Sequence, residues 1–114
     1  MAEYVMDNVT AAEIVKLIND YLKIPCAEEY FTEVQPPYAV VLTPEAKVFA
    51  PDMGGCYART QGYRIELYTK SKADPLRERF KDLIYSVIPA GDFIEEEQSY
   101  RDVRLYLTAI EFTI

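Results

Sequence analysis

Carboxylates are the side chains of this sequence best suited to chemistry, because its 114 residues include 19 Asp and Glu and no His. Paired carboxylates can act as general acid and base or can hold a hard cation. The densest run is Glu95, Glu96 and Glu97. Successive side chains of a strand point to opposite faces, so these three cannot converge on one atom. The run therefore favours a solvated sheet edge, where like charges discourage aggregation.

Other common catalytic groups are absent from the sequence or isolated in it. Without His, no Ser-His or Cys-His nucleophile pair can form within one subunit. No glycine-rich phosphate-binding motif occurs, and the pair Gly54 and Gly55 indicates a tight turn. Cys26 and Cys56 lack the CxxC spacing of a zinc or redox site, so free, partly buried thiols are predicted. The residues favour a protein without catalytic activity, metal or cofactor.

Charged residues of both signs recur at helical spacing between residues 77 and 82. Arg77 and Lys81 are four residues apart, as are Glu78 and Asp82. Charges of both signs on one helix typically decorate its solvent side. The spacing therefore predicts a solvated face, and Arg77→Ala and Glu78→Ala are expected to be nearly neutral for folding.

Two predicted helices position these groups. The first is "TAAEIVKLINDYLK", residues 10 to 23, in which Thr10 and Glu13 form a capping box. The second lies in "SKADPLRERFKDLIYSVIP", where Asp74 suits the N-cap and Pro75 the first helical position. Each has one apolar stripe at helical spacing. The stripe residues are Ala11, Ile14, Leu17, Ile18, Tyr21 and Leu22 in the first, and Leu76, Phe80, Leu83, Ile84, Val87 and Ile88 in the second.

Strand patterns occupy three segments before the second helix. Residues 26 to 34 predict a short strand, and the apolar run from Tyr38 to Leu42 predicts a strand covered on both faces. Residues 56 to 70 predict a strand with a bulge or a break near Gly62. Its side chains alternate, with Tyr63, Ile65 and Leu67 on one face and Arg64, Glu66, Tyr68 and Lys70 on the other.

Residues 43 to 55, "TPEAKVFAPDMGG", contain two prolines and two glycines and predict a long hairpin connection or flap. Phe49 and Met53 are apolar residues of this loop. They either fold back on the local core or reach a neighbouring subunit.

The segment from residue 92 to residue 114 predicts two strands joined by a turn near Ser99 to Asp102. In the second strand, two apolar sets have opposite parity. One set is Val103, Leu105 and Leu107, and the other is Ile110, Phe112 and Ile114. A bulge near Thr108 or Ala109 would bring both sets to one face. Coverage of both faces, by another subunit for example, is the alternative.

The order of elements predicts an α+β fold in one domain, residues 1 to 114: a mostly antiparallel sheet of four to five strands with two helices on one face. The net charge of −7 disfavours non-specific nucleic-acid binding. No run approaches the roughly 18 apolar residues of a membrane span, and the first residues lack the pattern of a signal peptide. A cytoplasmic protein is expected, and its ten tyrosines suit subunit contacts.

The sequence resembles small tail-completion proteins of tailed bacteriophages and prophages, of the tail-terminator and head-to-tail joining group. The resemblance rests on "PPYAVVL", "YRIELYTKSKADP", the apolar helix after it, and "SYRDVRLYLTAIEFTI". The matching positions are Pro37 and Tyr38, Ile65 to Lys70, Asp74 and Pro75, and Glu111 and Phe112. Each motif alone also fits an ordinary strand or helix cap. Their order and spacing together make the resemblance more specific, and it extends over most of the chain.

The resemblance implies a structural virion protein with no catalytic residues, assembled in the host cytoplasm and retained in the virion tail. It implies a ring, typically a hexamer, that caps the tail tube and meets the head connector. We expect subunit contacts at Phe49, Met53, Tyr57, Arg64, Glu66 and Tyr68, the last three as exposed residues of their strand. A small acidic binding or regulatory module, which engages a basic partner or mimics DNA, is the alternative. An acidic lining that lets DNA slide through the ring is a further hypothesis.

Overall fold

A computed structural model describes residues 9–30, 35–43, 47–49, 58–60 and 62–114, with 47–49 and 58–60 described by their backbone only. These residues contain two α-helices, seven strands and one 3₁₀ turn at Arg101–Val103. The elements in order are α1 (Ala11–Leu22), β1 (Cys26–Glu28), β2 (Tyr38–Leu42), β3 (Lys47–Phe49), β4 (Ala58–Thr60), β5 (Gly62–Thr69), α2 (Leu76–Val87), β6 (Phe93–Tyr100) and β7 (Leu105–Thr113). The predicted α+β class is confirmed.

Helix α1 begins where its capping residue predicts, whereas α2 begins one residue later than predicted, with Pro75 and not Asp74 at the N-cap position. The Thr10 hydroxyl accepts a hydrogen bond from the Glu13 amide at 3.1 Å, which satisfies one free donor of the first turn of α1. The Asp74 carboxylate accepts a hydrogen bond from the Leu76 amide at 2.9 Å, so it satisfies one free donor of α2 from the position before the N-cap. Helix α1 ends as Lys23 turns into the left-handed region, with φ of 59°.

Five strands form the main sheet in the order β1-β2-β5-β7-β6. All neighbours are antiparallel except β1 and β2, which are parallel. The strands β3 and β4 pair with each other as a separate antiparallel ribbon, within and just after the segment predicted as a hairpin connection. The predicted break near Gly62 is confirmed, because β4 and β5 belong to different sheets.

The core lies between the helices and one face of the sheet. In β5, burial alternates with period two, so Tyr63, Ile65 and Leu67 face the helices as predicted. Phe80 of α2 is completely buried against them, whereas Leu83 is only partly buried. The single cluster of buried residues also takes in α1 and β7, so both helices cover the same face. Neither of these described helices has the length and apolar character needed to cross a membrane.

Strand β7 is regular and contains no bulge, since its register with β5 and β6 is continuous. Ile110 and Phe112 face the helices, and Leu107 and Ala109 face the opposite side, which we call the open face. Of the two alternatives for this strand, coverage of both faces is the one found. Leu107 and Ala109 are 2% and 0% exposed, although neither helix lies on their side.

Candidate functional site

A cluster of charged side chains occupies the open face around Arg64. The Arg64 guanidinium donates from Nε to Glu66 at 2.7 Å, from Nη1 to Glu96 at 2.8 Å, and also to Glu111. The register brings these residues together, because Arg64 on β5 is paired with Glu111 on β7, and Glu66, Ala109 and Glu96 lie in line across three strands. We call Arg64 and its three carboxylates the Arg64 cluster.

The Arg64 cluster explains how the second apolar face of β7 is covered. Strands lie about 4.8 Å apart, so a side chain that reaches from β5 to Glu96 on β6 must pass over β7. Ala109 lies between Glu66 and Glu96 in the register, and its small side chain leaves space for the guanidinium. At Ala109, charged groups of the same chain therefore provide the cover that the sequence suggested for another subunit.

The exposure of the Arg64 cluster is uneven. The side chains of Arg64 and Glu66 are 18% and 14% exposed, whereas those of Glu96 and Glu111 are 50% and 44% exposed. Burial would lower the pKa of Arg64, but hydrogen bonds to the three carboxylates raise it above its usual value. One guanidinium against three carboxylates leaves an excess of negative charge on the two outer glutamates.

Tyr68 extends the Arg64 cluster toward β2. Its hydroxyl donates to Glu66 at 2.8 Å, and its ring stacks on Tyr38 with 4.9 Å between centroids. Burial, with help from the hydrogen bond to Glu66, raises the pKa of Tyr68. Three residues expected at a subunit contact, Arg64, Glu66 and Tyr68, therefore lie together on one face. They are half-buried and bonded to one another, in contrast to the exposed positions expected for them.

The structure describes little of the other expected contact residues. Phe49 belongs to β3, of which only the backbone is described. Met53, Tyr57 and Cys56 lie outside the described residues. Cys26 is a free, buried thiol as predicted. Its burial raises the pKa to about 12, so it stays protonated and unreactive. Within the described residues, no three His, Cys, Asp or Glu side chains are arranged to hold a metal ion.

A second polar cluster lies on the helix side of β6, and it contradicts the predicted solvated face. Arg77 is only 7% exposed. It donates from Nε to the Thr108 hydroxyl at 2.9 Å, from Nη1 to the Lys72 carbonyl at 2.7 Å and from Nη2 to Glu97 at 2.7 Å. Its guanidinium also lies 4.9 Å from the centre of the Tyr106 ring. Glu78 and Asp82 are exposed as predicted.

The physical reason for the error is the position of Arg77 on the helix. Residues 77, 80, 84 and 87 recur at helical spacing, and all four are buried. Arg77 thus occupies a place on the apolar stripe, where a charge is tolerated because each part of its guanidinium has a partner. Lys81 departs from the prediction as well, since its side chain is 16% exposed and its ammonium lies 3.2 Å from Glu95 and 3.5 Å from Glu97.

The glutamates of β6 divide between the two faces, as alternation requires. Glu95 and Glu97 join the helix-side cluster, and Glu96 joins the Arg64 cluster. A hydrogen bond from Tyr106 holds the pKa of Glu97 below its usual value, with support from Arg77 and Lys81. Tyr85 and then Lys81 lower the pKa of Glu95, against the effect of burial. The run lies on an exposed edge strand, as predicted, and its carboxylates also have partners within the chain.

The lowered pKa of Glu97 predicts a pH dependence of stability. A carboxylate with a depressed folded pKa stabilises the fold above its unfolded pKa, near 4.3, and loses that contribution as the pH falls through the folded value. We expect Glu97→Gln to be less stable than wild type at pH 7, and the difference to shrink below about pH 4.3. Urea unfolding at several pH values measures it, and Asp82→Asn is the matched control. A difference that stays constant down to about pH 2 would contradict this assignment.

Four basic residues meet at the end of the sheet opposite the Arg64 cluster, a grouping that sequence analysis missed. Lys70 and Lys72 follow β5, and Arg101 and Arg104 lie between β6 and β7. Thr69 is paired with Tyr106, so both connections leave the sheet at the same end. Two adjoining depressions of about 510 and 460 Å³ share Lys70, Arg104 and Leu105 and have no carboxylate in their lining. None of the four cations forms an ion pair with a described residue.

A signal for the basic group was present in the sequence. "KSK" and "RDVR" each begin where a predicted strand ends, and adjacent antiparallel strands bring such turns together. The described tyrosines of β5, β6 and β7 divide between the two faces of the sheet. Tyr63 and Tyr106 face the helices, whereas Tyr68 and Tyr100 lie on the open face. Comparison of the whole chain with protein-family models and with curated proteins finds no match.

Proposed function

We propose that this chain is a structural, non-enzymatic subunit of a ring in the tail of a bacteriophage or prophage, of the tail-terminator type that its sequence resembles. Its partners are further copies of itself, the tail-tube protein and the head connector. It assembles in the host cytoplasm and remains in the virion tail. The observation that carries the proposal is strand β6, an eight-residue strand at the edge of the main sheet.

An edge strand of this length is suited to assembly. No described strand pairs with the outer side of β6, so its outward backbone N–H and C=O groups are available to another chain. Seven of its eight residues are exposed, and only Phe93 is half-buried. Ile94 is 65% exposed, and Val103 just beyond the strand is 64% exposed. Apolar side chains of this kind anchor protein contacts.

The polar groups beside β6 support a structural role in a different way. Glu95, Glu96 and Glu97 are held by Lys81, Arg64 and Arg77 respectively. Side chains that are already held lose little conformational freedom when a partner binds. Their charges also restrict which strands can pair with this edge, which protects against indiscriminate aggregation. The edge therefore offers a rigid, selective surface.

A second candidate, the acidic binding module, is favoured by the excess of carboxylates around Arg64. Glu96 and Glu111 are each about half exposed and share one guanidinium with Glu66. A basic partner could therefore gain ion pairs there without another copy of this chain. The two candidates differ in stoichiometry, because the binding module stays monomeric and saturates with one partner, whereas the ring subunit self-associates.

Native mass spectrometry and sedimentation velocity over a wide concentration range test the proposal. We expect one closed oligomer of defined size, and six copies is the size that the resemblance suggests. Ile94→Ser should weaken association about tenfold, as expected for loss of an apolar anchor worth about 1.4 kcal/mol. Tyr30→Ser, which removes a residue that is 74% exposed far along the sheet from β6, is the matched control. A chain that stays monomeric at high concentration, even with tail-tube protein added, would contradict the ring.

A further inference from the structure

The two ends of the main sheet carry opposite charge. We define the cationic end as Lys70, Lys72, Arg101 and Arg104. The anionic end comprises the Arg64 cluster and the exposed Asp92, which directly precedes β6. It holds four carboxylates and one guanidinium. Five residues of strand, about 17 Å, separate Arg64 from Thr69 along β5, and four residues, about 13 Å, separate Glu96 from Tyr100 along β6.

Each charged end also has an exposed aliphatic residue. Ile94 lies beside Glu111 in the register at the anionic end. Val103 lines the first depression at the cationic end, next to Arg104. They are the two most exposed aliphatic side chains among the described residues, at 65% and 64%. The ends therefore match in two respects, since they have opposite charge and each has one apolar anchor.

From this match we infer that the cationic end of one copy binds the anionic end of the next copy of this chain. The inference rests on the proposed ring, and it names the two surfaces that meet. A contact between two different surfaces is head-to-tail, and such contacts close into rings when the rotation between copies allows it. In this arrangement, Lys70 and Arg101 approach Glu96 and Glu111, and Ile94 and Val103 lie within the same contact.

Charge explains why a second copy fits better than a nucleic acid. The four cations repel one another and have no described carboxylate partner, so an anionic surface relieves an existing repulsion. A nucleic acid would also meet the remaining surface of a chain with net charge −7, which repels phosphates. The anionic end of another copy approaches with its carboxylates already oriented by Arg64. Such a contact weakens with salt.

Charge reversal with a mixing step tests the inference. Lys70→Glu with Arg101→Glu brings two carboxylates opposite Glu96 and Glu111 of the next copy, and Glu96→Lys brings an ammonium opposite Lys70 and Arg101. Each variant alone should associate at least about tenfold more weakly than wild type, because like charges then meet. An equal mixture of the two should recover assembly, because every contact again joins opposite charges. Sedimentation velocity measures all three samples, and circular dichroism confirms that each variant is folded.

Controls with the same change in net charge separate a local effect from a global one. Lys16→Glu with Arg79→Glu matches the first variant, and Asp82→Lys matches the second, at exposed positions of the two helices. These controls should associate like wild type. Reversal variants that assemble like wild type would overturn the inference and leave the ring intact. If the wild type forms only a salt-sensitive dimer, and the mixture of the two variants restores that dimer, the inference is supported and the ring is overturned.

Two further outcomes complete the test. If the wild type and the mixture of the two variants both remain monomeric, the ring and the inference are overturned together. A duplex DNA probe added to wild type tests the remaining class of partner. If DNA binding is lost on Lys70→Glu with Arg101→Glu while self-association is unchanged, the cationic end serves nucleic acid and the inference is wrong.

Discussion

Arg77→Ala should lower the free energy of unfolding by about 3 kcal/mol, the lower part of the range for removing one partner of a buried ion pair. The substitution leaves the Thr108 hydroxyl, the Lys72 carbonyl and one Glu97 oxygen without their donors. Glu97 keeps Lys81 and Tyr106 as partners, which is why the upper part of that range is not expected. Chemical unfolding followed by circular dichroism measures the change.

Glu78→Ala provides the matched control for Arg77→Ala. Glu78 is the next residue of the same helix, and it is exposed and forms no ion pair with a described residue. Its substitution should change stability by less than about 0.5 kcal/mol, as is usual for surface sites. A second variant, Arg77→Met, tests whether the charge or the packing matters, because it keeps the length of the apolar stem. Equal, small effects of Arg77→Ala and Glu78→Ala would contradict the buried cluster.

Phe80→Ala is expected to have the largest effect, a loss of about 3 to 5 kcal/mol. Phe80 is fully buried and packs in the cluster that joins α2 to β5. Removal of its ring forfeits the transfer free energy of the apolar atoms and leaves a cavity that close-packed neighbours fill only in part. Thermal or urea unfolding gives the magnitude, and the m-value shows whether the transition remains cooperative.

Leu83→Ala serves as the comparison for Phe80→Ala on the same helix. Leu83 is only partly buried at the margin of the core, so the loss should be smaller, about 1 to 2 kcal/mol. This ranking is sharper than the sequence allowed, because the stripe included both residues without ordering them. Losses below about 1 kcal/mol at both positions would show that α2 does not dock as described.

Local periodicity accounts for what the sequence predicted correctly. Thr10 and the alternation from Tyr63 to Leu67 involve neighbours within one turn of helix or one strand, and both appear where expected. Asp74 binds the first amide of α2 but lies one residue before the N-cap predicted for it. Strand partners depend on contacts far apart in sequence. The parallel pairing of β1 with β2, and the regular course of β7, follow from how whole elements pack, which no short window of residues specifies.

The candidate site was predictable only in part for the same reason. Alternation correctly placed Arg64, Glu66 and Tyr68 on one face. Glu96 and Glu111 converge on Arg64 because the strand order is β5-β7-β6, and the sequence left that order open. Arg77 was predictable in principle, because its spacing to Phe80 and Ile84 puts it on the buried stripe. The prediction gave more weight to the positive charge of arginine than to that periodicity.

Strand β7 has a consequence for the order of events during synthesis. It comes last among the described strands, yet it lies between β5 and β6 and pairs with both. As the chain leaves the ribosome, β1, β2 and β5 can pair before β7 emerges, whereas β6 has no neighbour in the sheet until residues 105–113 follow. Pairing between distant segments slows folding, and unpaired strands are prone to aggregate in the meantime. The charges of Glu95, Glu96 and Glu97 then protect the waiting β6 before they acquire their partners.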